Sequence, residues 1–293
     1  MNEIAQYAEE YLNNIYWKGL VGDYRTKPFY EIRNEDIQEM ILFILKELEK
    51  PLEKTGEHRK TRWEYGWNES LEQNDFVPGY FNKYPVMRFN QKFIRSNSID
   101  GKLEYHLFCA IQEYLFAKYL KDFSAIYEFG CGTGHNLFRM RNANKEALLC
   151  GLDWTTSGVR NVEKVGKLLK NVKGVVFDMF EPNFNYKLAE NSAVVTVASM
   201  EQLGDDFHLF LSYLIDQKPS LVLHIEPFQN LLDPDNLLDY LSIQYMKKRN
   251  YINGYIECLE GLGKDKVEII DLERSYVGSL FIDGYTILAW RPV

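Results

Sequence analysis

The sequence predicts an α/β fold built around a mostly parallel sheet. Three observations predict it. Short β-branched runs alternate with amphipathic stretches from Ala125 onward, a glycine-rich turn leads from the first of these runs into a helix, and the last two extended runs follow each other without a crossover helix. Strands are expected at 125–129, 147–153, 174–178, 193–199 and 220–226, and helices at 135–144, 156–170, 205–217 and 235–262. The stretch EPNFNYKLAE after the third strand is too weakly patterned for a helix. VEIIDLERS (267–275) and GYTILAWRPV (284–293), separated by a loop ending in Asp283-Gly284, are expected to pair antiparallel and bring the sheet to seven strands.

Residues 1–120 read as a mainly helical extension, and 121–293 as the core. Helical patterns occupy 3–17, 34–50, where IQEMILFILKELEK stops before Pro51, and 102–121. Between them lies an aromatic, Pro/Gly-punctuated segment, TRWEYGWNESLEQNDFVPGYFNKYPVMRFNQKFI (61–94). No repeat or low-complexity linker divides the chain, so the extension is expected to pack directly on the sheet as a cap.

Composition narrows the partners. A net charge of −8 and a pI near 5.3 supply no field to gather phosphodiesters, which argues against nucleic acid. The densest cationic run, Lys247-Lys248-Arg249, reads as a solvated helix face. Four scattered cysteines without a CxxC pair signal neither a zinc site nor a disulfide framework, and a reducing cytoplasm is the expected location. The acidic opening MNEIAQYAEEYLNNIYW is unlike a secretory signal, and no apolar run reaches membrane-spanning length.

The turn is YEFGCGTGHN, Tyr127 to Asn136, with Gly130, Gly132 and Gly134 between a strand and a helix. Glycines there allow a tight turn and close approach of a ligand to backbone. A dinucleotide fingerprint would need its third glycine at 135, where this chain has His135. The GxGxG spacing, with Glu128 two residues before the first glycine, resembles motif I of the class I S-adenosylmethionine-dependent methyltransferases. Asp153, ending the second strand, is placed to accept hydrogen bonds from ribose hydroxyls. Asp178 ends the third strand as read here, in VVFDMF.

The resemblance covers about residues 121–293 and implies a Rossmann-like fold binding S-adenosylmethionine. It implies that the glycine loop wraps the methionine portion, that Asp178 holds the adenine amino group and that Met179 packs on the ring. His135, Asn136, Trp154 and Ser199 complete the expected cofactor contacts. VPGYFNKYPVMRFNQKFI and HIEPFQNLLDPDNLLDYLSIQYMKKRNY are similar to a group of bacterial sugar O-methyltransferases, which implies a small-molecule or glycan acceptor.

Methyl transfer needs alignment of donor and acceptor, and a base when the acceptor is a hydroxyl. Strands four and five end in Ser199-Met200-Glu201-Gln202 and His224-Ile225-Glu226-Pro227, and alternation puts His224 and Glu226 on one face. His224 and Glu226 are the first candidates for the base, Glu201 and His208 the next; as bland alternatives, these groups pair with each other or cap loop amides. The carboxylates do not align with the pattern of metal-dependent catechol-type enzymes, so no metal is expected.

Arg88, among Tyr80, Phe81, Tyr84 and Phe89, is expected either to reach an anionic group across a cleft or to stack on surface aromatics. Trp63, Tyr65 and Trp67 either stack on an acceptor or anchor their segment. The 235–262 helix is a candidate homodimer face or substrate cover. Two further readings stay open: a cofactor-binding subunit without catalysis, and an NAD-dependent oxidoreductase, against which His135 and the antiparallel finish both argue.

Overall fold

The computed structural model describes residues 3–17, 29–97, 100–282 and 284–293. In chain order the first half comprises α1 (Glu3–Trp17), β1 (Phe29–Glu31), α2 (Asn34–Glu49), α3 (Lys60–Gln73), β2 (Val86–Phe89), β3 (Lys92–Ser96) and α4 (Leu103–Tyr119). Then follow β4 (Ala125–Phe129), α5 (His135–Ala143), β5 (Leu148–Asp153), α6 (Thr156–Gly166), β6 (Val172–Val176), β7 (Ser192–Val197), α7 (His208–Gln217) and β8 (Leu221–Glu226). The chain continues through α8 (Leu237–Arg249), α9 (Tyr255–Leu262), β9 (Val267–Arg274), β10 (Val277–Gly278) and β11 (Thr286–Pro292).

The main sheet has seven strands in the order β6-β5-β4-β7-β8-β11-β9. Neighbours from β6 to β8 are parallel, and β11 lies between β8 and β9, antiparallel to both. Inward-facing residues of alternate parity feed two cores, as the two-residue period of a strand requires. Ile126, Leu149, Val195, Leu223 and Ile287 face the helices α1, α4 and α5. Phe129, Leu152, Val194, Val222 and Trp290 pack with residues of α7 and α9 on the other side.

Four elements depart from the sequence reading. The third strand sits two residues earlier than expected, so Asp178 lies beyond its end. The segment expected at 235–262 is two helices, because Asn250 (φ 56°) and Gly254 (φ 81°) adopt left-handed backbone between α8 and α9. The aromatic segment contains the helix α3, and the extension is not wholly helical: β1, β3 and β2 form a small sheet that β10 completes. Asp283, expected in the loop before the last strand, lies outside the described residues.

Side-chain caps fix the starts of two helices. Thr155 Oγ1 accepts from Gly158 N at the head of α6, and Asn236 Oδ1 accepts from Leu238 N and Asp239 N at the head of α8. Helix α8 is tied to β9 by a buried bidentate pair, Arg274 Nη1 and Nη2 donating to Asp239 at 2.7 and 2.5 Å. Among the described residues, no helix is long and apolar enough to cross a membrane. Asp239→Ala would remove the bidentate carboxylate partner of the buried Arg274 guanidinium and should cost about 3–5 kcal/mol in urea unfolding; a loss below about 1 kcal/mol would show that the pair does not hold α8.

Candidate functional site

Two cavities adjoin at the carboxyl ends of β4, β5 and β7, where ligands of open α/β sheets bind. Counting the space at their mouths, they measure about 660 and 1060 Å³. Trp63, Tyr80, Ala198 and Gln202 line both and form their common boundary.

The glycine loop floors the first cavity. Gly130 and Gly132 have φ of 72° and 53°, and a Cβ on Gly130 would lie 2.4 Å from Ser199 Cβ. A Cβ on Gly132 would lie 2.8 Å from the Trp67 ring. The space vacated by both side chains is thus used by the protein itself. Asp153 anchors the loop: its Oδ2 accepts from Gly132 N (2.9 Å), while Oδ1 accepts from Thr155 N and Oγ1 (2.9 and 2.6 Å). That leaves Asp153, which lines the cavity, less free for a ribose than the sequence suggests. Burial raises its pKa against the hydrogen bonds that lower it.

Behind the loop, Glu128 is buried and its Oε1 accepts from Asn136 Nδ2 at 2.5 Å, while Oε2 has no partner. Desolvation raises its pKa to about 8. His135 lines the cavity with Nδ1 3.2 Å from Thr133 Oγ1, whose own proton goes to Phe76 O. This assigns the ring proton to Nδ1 and leaves Nε2 a bare, unpartnered acceptor. Burial holds the ring neutral, its pKa well below the usual histidine value. An acceptor there suits an ammonium group and not a carboxylate.

Trp154 stacks on Phe180 (5.5 Å, 16°) and both line the cavity with Met179. Asp178 does not line it. Its Oδ2 pairs with Lys60 Nζ of α3 at 2.7 Å and its Oδ1 accepts from Phe180 N, because the strand ends earlier than expected.

Helix α3 roofs this cavity. Arg59, Trp63 and Trp67 recur every fourth residue and so share one helical face, with the two indoles stacked at 5.0 Å and 25°. Tyr80 stands edge-on to both. Glu64 accepts from Thr156 N and Ser157 N at the start of α6, and Asn161 Nδ2 donates to Trp67 O. Tyr65 is 74% exposed and takes no part. The period of four was visible in the sequence.

The acid and histidine at the end of β8 are turned away from both cavities. His224 is fully buried between Thr196 Oγ1 (2.8 Å) and Tyr255 OH (3.0 Å), and burial lowers its pKa to about 3, a poor value for a base. Glu226 accepts from Ser199 N at 3.0 Å and Met200 N at 3.1 Å. It thereby fixes a turn in which Ala198 has φ 48°, a conformation that costs an alanine about 1–2 kcal/mol. Desolvation raises its pKa to about 7 against those donors. Ser199, in the same turn, lines the first cavity and donates to Phe129 O. His208 is exposed at the start of α7, with Nδ1 3.8 Å from Cys258 Sγ.

Glu201, the third candidate, lines the second cavity two residues beyond that turn. Desolvation and the neighbouring Glu226 raise its pKa to about 8. Arg88 is not in either cavity. It is buried in β2, with Nη1 donating to Leu238 O and Ser242 Oγ of α8 and the guanidinium 5.4 Å from the Phe93 ring. Sequence reasoning missed Phe180, Ala198 and Gln202 as cavity walls.

No family model matches the chain, and no curated protein matches it significantly. Solved structures do. The cyclase SpnF superposes with a TM-score of 0.54 at 13% identity, over 82% of this chain and 97% of the other. A geranyl diphosphate C-methyltransferase from Streptomyces coelicolor A3(2), held with Mg2+, geranyl diphosphate and S-adenosyl-L-homocysteine, gives 0.51 at 13% identity over 66% and 83%. A geranyl diphosphate methyltransferase bound to sinefungin gives 0.52 at 12% identity over 80% and 99%. The fold is the methyltransferase fold.

The sign of the Glu128 shift is testable without ligand. With a folded pKa near 8 against an ordinary 4.5, the folded chain keeps a proton that the unfolded chain releases between those values. Stability attributable to this group therefore falls as pH rises through that window. In scanning calorimetry Glu128→Gln should lose less Tm than the parent from about pH 5 to 8; an equal loss would mean that Glu128 is not raised.

Proposed function

We infer that the chain transfers a methyl group from S-adenosylmethionine to a hydroxyl of a small molecule or glycan, with a sugar as the acceptor. One observation carries this reading: a glycine-floored, aromatic-walled cavity meets a second, larger cavity along a boundary of four residues, and a carboxyl group with a raised pKa lines the larger one beside that boundary.

The residues of the first cavity fit the cofactor. His135 Nε2 is a buried, unpartnered acceptor on the cavity wall, suited to the ammonium of the methionine moiety, and Glu128, behind the loop, would become a second acceptor for that ammonium on losing its proton. Trp154, Met179 and Phe180 offer a slot of stacking surfaces for adenine, and Asp153 Oδ2 keeps acceptor capacity for a ribose hydroxyl. When bound, S-adenosylmethionine supplies an electrophilic methyl on a cationic sulfur. The faces of Trp63 and Tyr80 at the boundary favour a cation there.

On the acceptor side, Tyr84, Tyr245, Tyr251 and Tyr285 give a wall of rings and hydroxyls that suits the faces and edges of a sugar. Glu201 accepts the acceptor's proton. A group titrating near 8 is basic enough to take a hydroxyl proton and is partly ionised at neutral pH. Glu226 positions the turn between the cavities and does not exchange protons with the acceptor. The absence of any described membrane-spanning helix and the three buried, free thiols of Cys109, Cys131 and Cys150 are compatible with a cytoplasmic enzyme.

The superposition on a cyclase favours one second reading, in which the fold binds the cofactor and does other work. Calorimetric titration with S-adenosylhomocysteine should show saturable binding; none would end both readings. A screen of mono- and oligosaccharides for S-adenosylhomocysteine release then separates them, since binding without release from any acceptor favours the second. With a responding sugar, kcat should rise with pH through about 8, and Glu201→Gln should flatten that rise and lower kcat by roughly 10²–10⁴. An unaltered profile would clear Glu201 of the base role.

A further inference from the structure

The second cavity is more cationic than the molecule around it. The chain carries a net charge of −8, yet Arg59, Arg62, Lys83 and Arg249 face this cavity against only Glu104 and Glu201. Two of the four cations are engaged. Arg62 pairs with Glu53, and Arg59 donates to Gln202 Oε1 at 2.6 Å with Nε 3.5 Å from the same Glu53. Lys83 and Arg249 have no carboxylate within 4.0 Å among the described residues.

Arg249 is the sharper case. It ends α8 with its guanidinium 5.9 Å from the Tyr251 ring, and its Nε is buried without a hydrogen-bond partner. The acids do not offset these charges at neutral pH. Desolvation raises Glu104 to about 7 and Glu201 to about 8, so both are substantially protonated there. Desolvation and then the neighbouring guanidinium groups lower the pKa of both Arg59 and Lys83. Like charges gathered in a half-buried space are a cost to the empty protein, and an entering anion relieves it.

Resting on the methyl-transfer reading, we propose that the acceptor carries an oxyanion, a carboxylate or a phosphate, which Arg249 and Lys83 bind in the second cavity while a hydroxyl of the same molecule faces Glu201 at the boundary with the first. Guanidinium recognises either anion through paired N–H donors, and lysine adds a mobile point charge. The acceptor class is thus an acidic or phosphorylated sugar, and a neutral sugar lacks the anchoring group.

The test is calorimetric titration of the full chain saturated with S-adenosylhomocysteine, using inorganic phosphate, glucose 6-phosphate, glucuronate and glucose as probes. At least one anionic sugar should bind about ten-fold or more tightly than glucose. Arg249→Gln should remove most of that advantage and leave S-adenosylhomocysteine affinity unchanged. Lys83→Gln, an exposed position that does not threaten folding, should weaken the same probe. The phosphate and carboxylate arms tell which anion the site takes. Glucose binding as tightly as both anionic sugars, no saturable binding of any anionic probe, or anion affinity indifferent to both substitutions would each overturn the proposal. Failure of S-adenosylhomocysteine itself to bind would instead remove the reading on which it rests.

Discussion

A tryptophan ring lies where a side chain on Gly132 would have to be, and much of the molecule's working shape depends on that contact. It joins the first half of the chain to the loop that floors the first cavity. Magnitudes say which force holds the joint. Burying an aromatic side chain removes about 150–250 Å² from water, at roughly 25 cal/mol per Å². The half-exposed pair of Lys60 with Asp178 is worth at most about 1 kcal/mol. Apolar contact sets the position of α3, and the polar bonds of Glu64 and Asn161 set its register. With α3 in place, Trp63 and Tyr80 become the partition between two spaces.

The other side of the partition is backbone. Ala198 sits in a left-handed conformation that alanine adopts only at a cost, and the Glu226 carboxylate holds the two amides that follow. A charge that looks catalytic from its place at a strand end is used to shape a turn. The carboxyl that faces the open space comes from just beyond that turn, at Glu201. Burial with few donors sets its proton affinity, whereas Glu226 is engaged by three donor groups, the Ser199 amide and hydroxyl and the Met200 amide.

The sheet was legible because its signals are local. Strand β4 occupies the predicted 125–129, and the glycine turn lies between that strand and a helix. The misses follow from interactions between distant segments. The small sheet is assembled from β1, β2, β3 and the far β10, and no two-residue alternation announces a strand as short as Val277–Gly278. Arg88 reads as a surface cation among aromatics, and only the docking of α8 buries it. Helix α3 was hidden by an aromatic, Gly66-containing composition although its every-fourth-residue stripe was present. Lys247-Lys248-Arg249 looked like a solvated face, but Lys248 bonds to Leu48 O and Arg249 turns into the cavity. The cations of that cavity come from residues 59, 62, 83 and 249, a grouping that no window of sequence displays.

Strand order has a consequence for how the chain assembles. Strand β9 is synthesised before β11, yet its place in the sheet is defined by pairing with β11, which fills the gap beside β8. Until that later segment arrives, β8 presents a bare hydrogen-bonding edge and β9 has no sheet to join. Any partly folded chain that has paired β6 to β8 but not β11 carries a five-stranded parallel sheet with one unsealed border. Closing it requires a non-local pairing, the step that sequence separation makes slow, so this border is where a chaperone or a neighbouring nascent chain would find its purchase.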